Sequence, residues 1–331
     1  MPERQQQLQN WLARQCGLDN FDIQPASGDA SFRRYFRVSL NDGTSLIAMD
    51  APPDKENSEP FVRLARRFGE LGLHVPDIIE EDLEQGFLLL KDLGSTQYLE
   101  VLSTDNVDIH YGDALFALNK LQTSAGLHEL PDYSQQLLMN EMELFREWLL
   151  KKQLGVELSD AENHSLDSVF KLLADNALEQ PKVCVHRDYH SRNLMVVPDD
   201  IEGPTPGILD FQDAVAGPIT YDLVSLLKDC YIAWPRQQVV DWAMAYCQTS
   251  IQSGLVRKAD ENNFLRWFDL MGVQRHLKAA GIFARLNIRD GKEGYLKDIP
   301  RTVGYITQLQ DVYPELSDLI AIIERHIQVE I

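Results

Sequence analysis

The chain has 331 residues, 44% of them hydrophobic, with 31 basic against 51 acidic side chains and a formal net charge of −20. That length can bury a large core and suggests two lobes, while the acidic balance argues against nonspecific nucleic-acid binding and against an anionic membrane surface, since both would repel it. Cys16, Cys184, Cys230 and Cys247 are scattered without a close pair, residues 1–9 lack the apolar core of a signal peptide, and no apolar run approaches bilayer length. A reduced protein of the cytoplasm is expected.

In chain order, residues 2–16 read as a short helix with Leu8, Trp11 and Leu12 on one face, ending near Gly17. Residues 23–40 read as strand, turn, strand, and Asn41-Asp42-Gly43 as a second tight turn before a third strand to Met49. The small residues of the first turn, Ser27, Gly28, Ala30 and Ser31, leave room for backbone amides to approach a phosphate, although an unliganded hairpin turn has the same composition. Three prolines make 50–60 a loop, and Asn57 or Ser58 can cap a helix over 59–71 whose Phe61, Leu64, Ala65 and Phe68 recur at helical spacing. Residues 75–80 and 86–91 complete a five-stranded set, and a lobe boundary is expected near Asp92. Beyond it the pattern is helical over 107–121, 133–150 and 161–178, closed by Pro181.

The chemistry concentrates in the next stretch. Residues 183–185, 194–197 and 207–209 are short apolar runs of strand type, separated by the segment His186-Arg187-Asp188-Tyr189-His190-Ser191-Arg192-Asn193 and by a turn region with Gly203, Pro204 and Pro206. If the second and third runs pair antiparallel, Asn193 and Asp210 fall at the same end, on the side entered by the loop that carries Asp188. Any one of these could be an ordinary turn residue. Together they supply two carboxylates and an amide, hard oxygen ligands that suit Mg²⁺ with places left for water and phosphates. A zinc site from His186 and His190 would need a helix where the sequence reads as strand and loop. Helical sequence resumes at 222–229 and continues to the end.

His-Arg-Asp followed by four residues and Asn is the spacing of the protein-kinase catalytic loop, and three strands, a helix and two strands resemble a kinase nucleotide lobe. With Leu209-Asp210-Phe211 following, the chain resembles the aminoglycoside phosphotransferase and choline kinase family over most of its length. Met49-Asp50-Ala51-Pro52-Pro53, the 186–195 segment and residues 274–286 look like the bacterial anomeric sugar kinases that phosphorylate N-acetylmuramate and N-acetylglucosamine at C1 during cell-wall recycling.

The resemblance implies an α+β, bilobal, protein-kinase-like fold, with a small antiparallel-sheet lobe carrying one main helix (1–92) and a larger, mostly helical lobe (93–331). It implies ATP and Mg²⁺ as cofactors, Asp188 as catalytic base, and Asn193 and Asp210 as metal ligands. Ser27, Gly28, Asp29, Ala30, Ser31, Phe32 and Arg33 would cover the phosphates, and Leu89, Leu90 and Lys91 would lie beside adenine. Tyr189 and His190 would contact sugar hydroxyls, and Arg275 and Lys278 the carboxylate of an acidic sugar. The third strand of the family usually carries a Lys for the α and β phosphates, but here Met49 stands near that place. The cation comes from Arg33, Arg34 or Lys55, or the phosphates are held by metal and backbone alone; the partner glutamate is Glu56 or Glu59. Kinases of the same fold acting on an aminoglycoside, choline or homoserine, and a nucleotide-binding pseudokinase, are the alternatives.

Overall fold

A computed structural model describes residues 2–27, 32–197 and 206–328. The chain divides into two compact units, Met1–Ala117 with Asn193–Asp213, and Leu118–Arg192 with Ala214–Ile331. The first begins with helix α1 (Pro2–Arg14) and strands β1 (Asp22–Ser27), β2 (Arg34–Ser39) and β3 (Ser45–Asp50). After α2 (Glu59–Glu70) come β4 (Ile78–Asp82) and β5 (Phe87–Lys91). The five strands form one antiparallel sheet in the order β1-β2-β3-β5-β4.

Leu8, Trp11 and Leu12 of α1 pack on Phe36, Val38, Ala48, Phe87 and Leu89, which alternate along three strands and so share one sheet face. At the start of α2, Asn57 rather than Ser58 provides the cap, its Oδ1 accepting from the Glu59 amide at 3.0 Å. The fourth strand begins at Ile78, three residues later than the apolar pattern suggests. Pro76 has no N–H to give a ladder, and pairing starts only beyond it.

Short α3 (Tyr98–Val101) precedes α4 (Val107–Ser124), and the second unit continues with α5 (Gln135–Leu144). The helix expected over 133–150 does not stay regular: from Phe145 to Gln153 it widens to π-helical hydrogen bonding. A capping box of Ser159 and Glu162 opens α6 (Asp160–Leu178), and β6 (Lys182–Val185) leads into residues 186–193. The chain then supplies β7 (Leu194–Met195) and β8 (Gly207–Ile208) to the first unit. It returns through β9 (Val215–Pro218), α7 (Thr220–Leu227), α8 (Arg236–Gln252), α9 (Glu261–Asp290), α10 (Ile299–Thr307) and α11 (Ser317–His326). Strand β9, the antiparallel partner of β6, has the sequence Val-Ala-Gly-Pro, too poor in β-branched residues to read as a strand.

The 30-residue α9 is the spine of the second unit, and α5, the π-helical segment, α6, α7 and α10 pack against it. Contact with the C-terminal end of α5 needs Gly281, because a Cβ there would stand 2.3 Å from the backbone carbon of Leu144. Among the described residues no helix is long and apolar enough to cross a membrane.

Candidate active site

The loop after β6 is held from α7 and the residues that follow it. Both carboxylate oxygens of Asp222, fully buried on α7, accept consecutive loop amides, from His186 at 2.7 Å and Arg187 at 2.9 Å. Seven residues on, buried Asp229 accepts from the Ser191 amide at 2.9 Å and its hydroxyl at 2.5 Å, and from the Tyr231 amide at 2.9 Å. Asp222 therefore fixes the start of the loop and Asp229 its end. Between these anchors Arg187 has φ of 82°, a left-handed conformation that a side chain adopts only when its surroundings enforce it. The loop is not helical, so the helical spacing a zinc site would need at His186 and His190 is not realised.

Asp188 sits on this fixed loop, partly exposed, with its amide donating to His186 Nδ1 at 3.2 Å and its carbonyl accepting from the His190 amide at 3.1 Å. Burial alone would push its carboxyl up, but the cations around it, led by Lys278 and including Arg275 and Arg187, hold it below the ordinary carboxylate range. Two of these cations share an anion: Glu141 of α5 pairs with Arg187 at 2.6 Å and Lys278 at 3.1 Å. It also accepts from Gln274 at 3.2 Å and from the Tyr133 hydroxyl. Lys278 donates in addition to the Tyr221 hydroxyl at 2.9 Å.

Arg275 is different. It is buried on α9, its Nη1 reaches the Cys230 sulfur at 3.8 Å, and its Nε has no hydrogen-bond partner among the described residues. His190 Nδ1 is likewise buried without a partner there, and its ring stands edge-on to Tyr231 with centroids 5.4 Å apart. Burial pulls the His190 imidazole down to about 4, so it is neutral at pH 7. Arg192 lies over Tyr231 and Tyr295, at 4.8 and 5.7 Å from the ring centroids. Tyr189 is fully buried, edge-on to His186.

In the first unit, β7 and β8 pair antiparallel, Leu194 with Ile208 and Met195 with Gly207. This is the expected hairpin, and it places Asn193 and Asp210 at one end: the Leu209 amide donates to the Asn193 carbonyl at 2.9 Å and Asn193 Nδ2 to Asp210 Oδ2 at 3.3 Å. Gln212 Nε2 donates to Asp210 Oδ1 at 2.7 Å. Asp210 too has a left-handed backbone, φ 65°. Next to it Phe211 is fully buried between Phe61 (centroids 5.0 Å, stacked) and Phe68 (5.6 Å, edge-on) of α2. Gly207 is closely packed: a Cβ would meet the Val197, Leu93 and Met195 side chains at 3.0 to 3.2 Å.

Leu89 and Leu90 lie in β5 between β3 and β4, and the Lys91 amide donates to the Asp77 carbonyl at 2.9 Å. Ser27 ends β1, Phe32 and Arg33 precede β2, and Gly28, Asp29, Ala30 and Ser31 lie outside the described residues. Among the described residues no three His, Cys, Asp or Glu side chains are grouped to hold a metal. A metal enclosed by such protein ligands is therefore not built there, whereas an Asn and an Asp at one hairpin end are the sparse oxygen set that suits Mg²⁺.

Asp222, Asp229, Glu141, Arg192 and Tyr231 were not evident as site residues from sequence. A signal for the first existed: Asp222 interrupts the apolar run 219–227, and a carboxylate buried there needs donors.

A family model described as the phosphotransferase enzyme family matches residues 22–259. An N-acetylmuramate/N-acetylglucosamine kinase of Pseudomonas putida is 46% identical, over 96% of each chain, and one of Neisseria meningitidis is 40% identical over 97% of this chain and 95% of its own. Among solved structures, a choline kinase from Streptococcus pneumoniae superposes with a TM-score of 0.63 at 13% identity, covering 92% of this chain and 99% of that one. An ADP-bound aminoglycoside phosphotransferase gives 0.56 at 16% identity, covering 90% and 97%. At these identities the two structures bear on the fold alone, and the protein-kinase-like α+β architecture is the one expected from sequence.

Proposed function

The chain belongs to the phosphotransferase enzyme family, and from that premise we propose that it is an ATP- and Mg²⁺-dependent kinase of N-acetylmuramate and N-acetylglucosamine. In this reading it phosphorylates their anomeric C1 hydroxyl in the cytoplasm, returning cell-wall amino sugars to use. Residues 1–92 serve the nucleotide and 93–331 the acceptor. The observation that carries the reading is near-full-length identity of 40 to 46% to relatives named as kinases of these two sugars.

Asp188 accepts the proton of the C1 hydroxyl as its oxygen forms a bond to the γ-phosphorus and the bond to the bridging oxygen of ADP breaks. An anomeric hydroxyl is more acidic than an ordinary alcohol, so a carboxylate held ionised by its neighbours is a sufficient base. Asn193 and Asp210 would hold the Mg²⁺, which when bound offsets charge on the transferring phosphoryl group. Residues 27–33 cover the phosphates, and Leu89, Leu90 and Lys91 lie along adenine.

On the acceptor side, His190 and Tyr189 serve the sugar. Neutral His190, with an unpartnered Nδ1, suits a hydroxyl. Arg275 and Lys278 serve the carboxylate of N-acetylmuramate, and Arg275, paired to no carboxylate among the described residues, has the more to offer.

The test is ATP consumption with Mg²⁺ against N-acetylmuramate, N-acetylglucosamine, choline and kanamycin, with ³¹P NMR of the product. An anomeric phosphate from the amino sugars is expected. Turnover confined to choline or kanamycin would contradict the substrate, and ATP binding with no turnover would favour a pseudokinase.

A further inference from the structure

One residue of the 186–192 loop is gripped at both ends. The Arg187 amide donates to Asp222 Oδ1 of α7 at 2.9 Å, and the far end of its side chain, Nη2, donates to Glu141 Oε1 of α5 at 2.6 Å. Between these two carboxylates the backbone has φ of 82°, a region an arginine occupies only when it is held there. With the amide fixed by Asp222, rotation about the N–Cα bond moves Cβ and the following residue, Asp188, together. A guanidinium anchored at Glu141 therefore resists the motion that would re-aim Asp188.

The anchor is itself immobile. Glu141 is buried, its Oε1 facing Arg187 and, at 3.1 Å, Lys278 Nζ, while its Oε2 accepts from Gln274 Nε2 at 3.2 Å and from the Tyr133 hydroxyl. A carboxylate offers about four acceptor sites, so these donors fill it and it cannot turn without losing one. Its partners are fixed in turn. The Tyr133 amide donates to the Ala216 carbonyl of β9 at 2.9 Å, and a Cβ on Gly217 would stand 2.9 Å from the Tyr133 ring, which accounts for a glycine in that strand. Lys278 donates to the Tyr221 hydroxyl at 2.9 Å. All of these residues belong to the second unit. Buried ion pairs often add no stability over apolar side chains of the same volume; what such a network can supply is a single geometry.

We propose that Glu141 is a positioning residue for phosphoryl transfer, acting on Asp188 through Arg187. The assignment rests on the reading of Asp188 as the base and names what aims it. In it Glu141 touches neither sugar nor nucleotide. Its effect is to keep the Asp188 carboxylate within reach of the C1 hydroxyl, where a misplacement of about 1 Å can cost about 10²-fold in rate.

The experiment is single-turnover phosphorylation of N-acetylglucosamine, which has no carboxylate to engage Lys278, by the full chain. Rates are expressed per ATP-binding chain, counted by calorimetric titration, so that unfolded protein does not enter. Glu141→Gln should lower the rate at saturating sugar by about tenfold or more and leave the half-saturating sugar concentration within about twofold. Arg187→Met should lose a similar factor, and the double variant Glu141→Gln/Arg187→Met no more than Arg187→Met alone, because the two residues act as one unit. That last comparison decides the matter even if Glu141→Gln, which leaves two cations short of a partner, does not fold. Losses that multiply in the double variant, an unchanged rate in Glu141→Gln, or an effect confined to the half-saturating concentration would overturn the assignment. If the unaltered protein phosphorylated no amino sugar, the kinase reading itself would fall, an outcome distinct from turnover that ignores Glu141.

Discussion

Residues 186–192 and the residues 193–197 and 206–213 that follow them are held in place by different physics. The first segment is suspended from buried charge: Asp222 and Asp229 take its amides, and Glu141 takes the side chains of Arg187 and Lys278 around Asp188. The second is a hairpin of two-residue strands that owes its place to packing, with Phe211 between Phe61 and Phe68 and a glycine closely packed by the Val197, Leu93 and Met195 side chains. In the proposed reading, a proton acceptor must keep one geometry and one charge state, which fixed carboxylates and cations would enforce, whereas a pair of oxygen ligands that takes up and gives back a metal with each nucleotide would need less. Two of the four non-glycine residues with positive φ among the described residues, Arg187 and Asp210, stand one in each segment, so both mechanisms hold a strained backbone.

The contrast can be broken from either side. Phe211→Ala should cost about 3 to 5 kcal/mol of stability, the usual penalty for emptying a buried phenylalanine site, read from the urea midpoint. Near-normal stability would mean that packing does not hold the hairpin. Asp222→Ala should cost about 3 kcal/mol or more, because two loop amides lose their acceptor together; Asp222→Asn, which keeps one acceptor oxygen, should recover part of it. Smaller still is the effect that isolates electrostatics from folding. The cations lower the Asp188 pKa, so removing one must raise it. In Lys278→Met, where Glu141 keeps Arg187, the acid limb of kcat/KM should move up in pH. A limb that stays in place, or moves down, would show that Lys278 does not set the charge state of Asp188.

How much of this was legible follows the same division. The hairpin that brings Asn193 and Asp210 together could be read from its apolar runs, because register in a short antiparallel pair is a local property. The α2 helix and the α1 face were visible through spacing of Phe61, Leu64, Ala65 and Phe68, and of Leu8, Trp11 and Leu12. Strand β9 and the supports of the catalytic loop were not. Asp222, Asp229 and Glu141 act across 36, 38 and 46 positions of sequence, and nothing local distinguishes a carboxylate that caps a distant loop from one that faces water. Lys278 and Arg275 read alike as basic residues on one helix. Only their partners separate Lys278, matched by Glu141 and Tyr221, from Arg275, whose described hydrogen bond is to a sulfur.

In the proposed reading Asp188 is the base, and nucleotide recognition is separate from it. Asp188→Asn tests this most directly when single-turnover phosphorylation of N-acetylglucosamine and ATP affinity are measured on the same preparation. The rate should fall by about 10²-fold or more while ATP affinity stays within about twofold. A rate close to that of the unaltered protein would contradict the account.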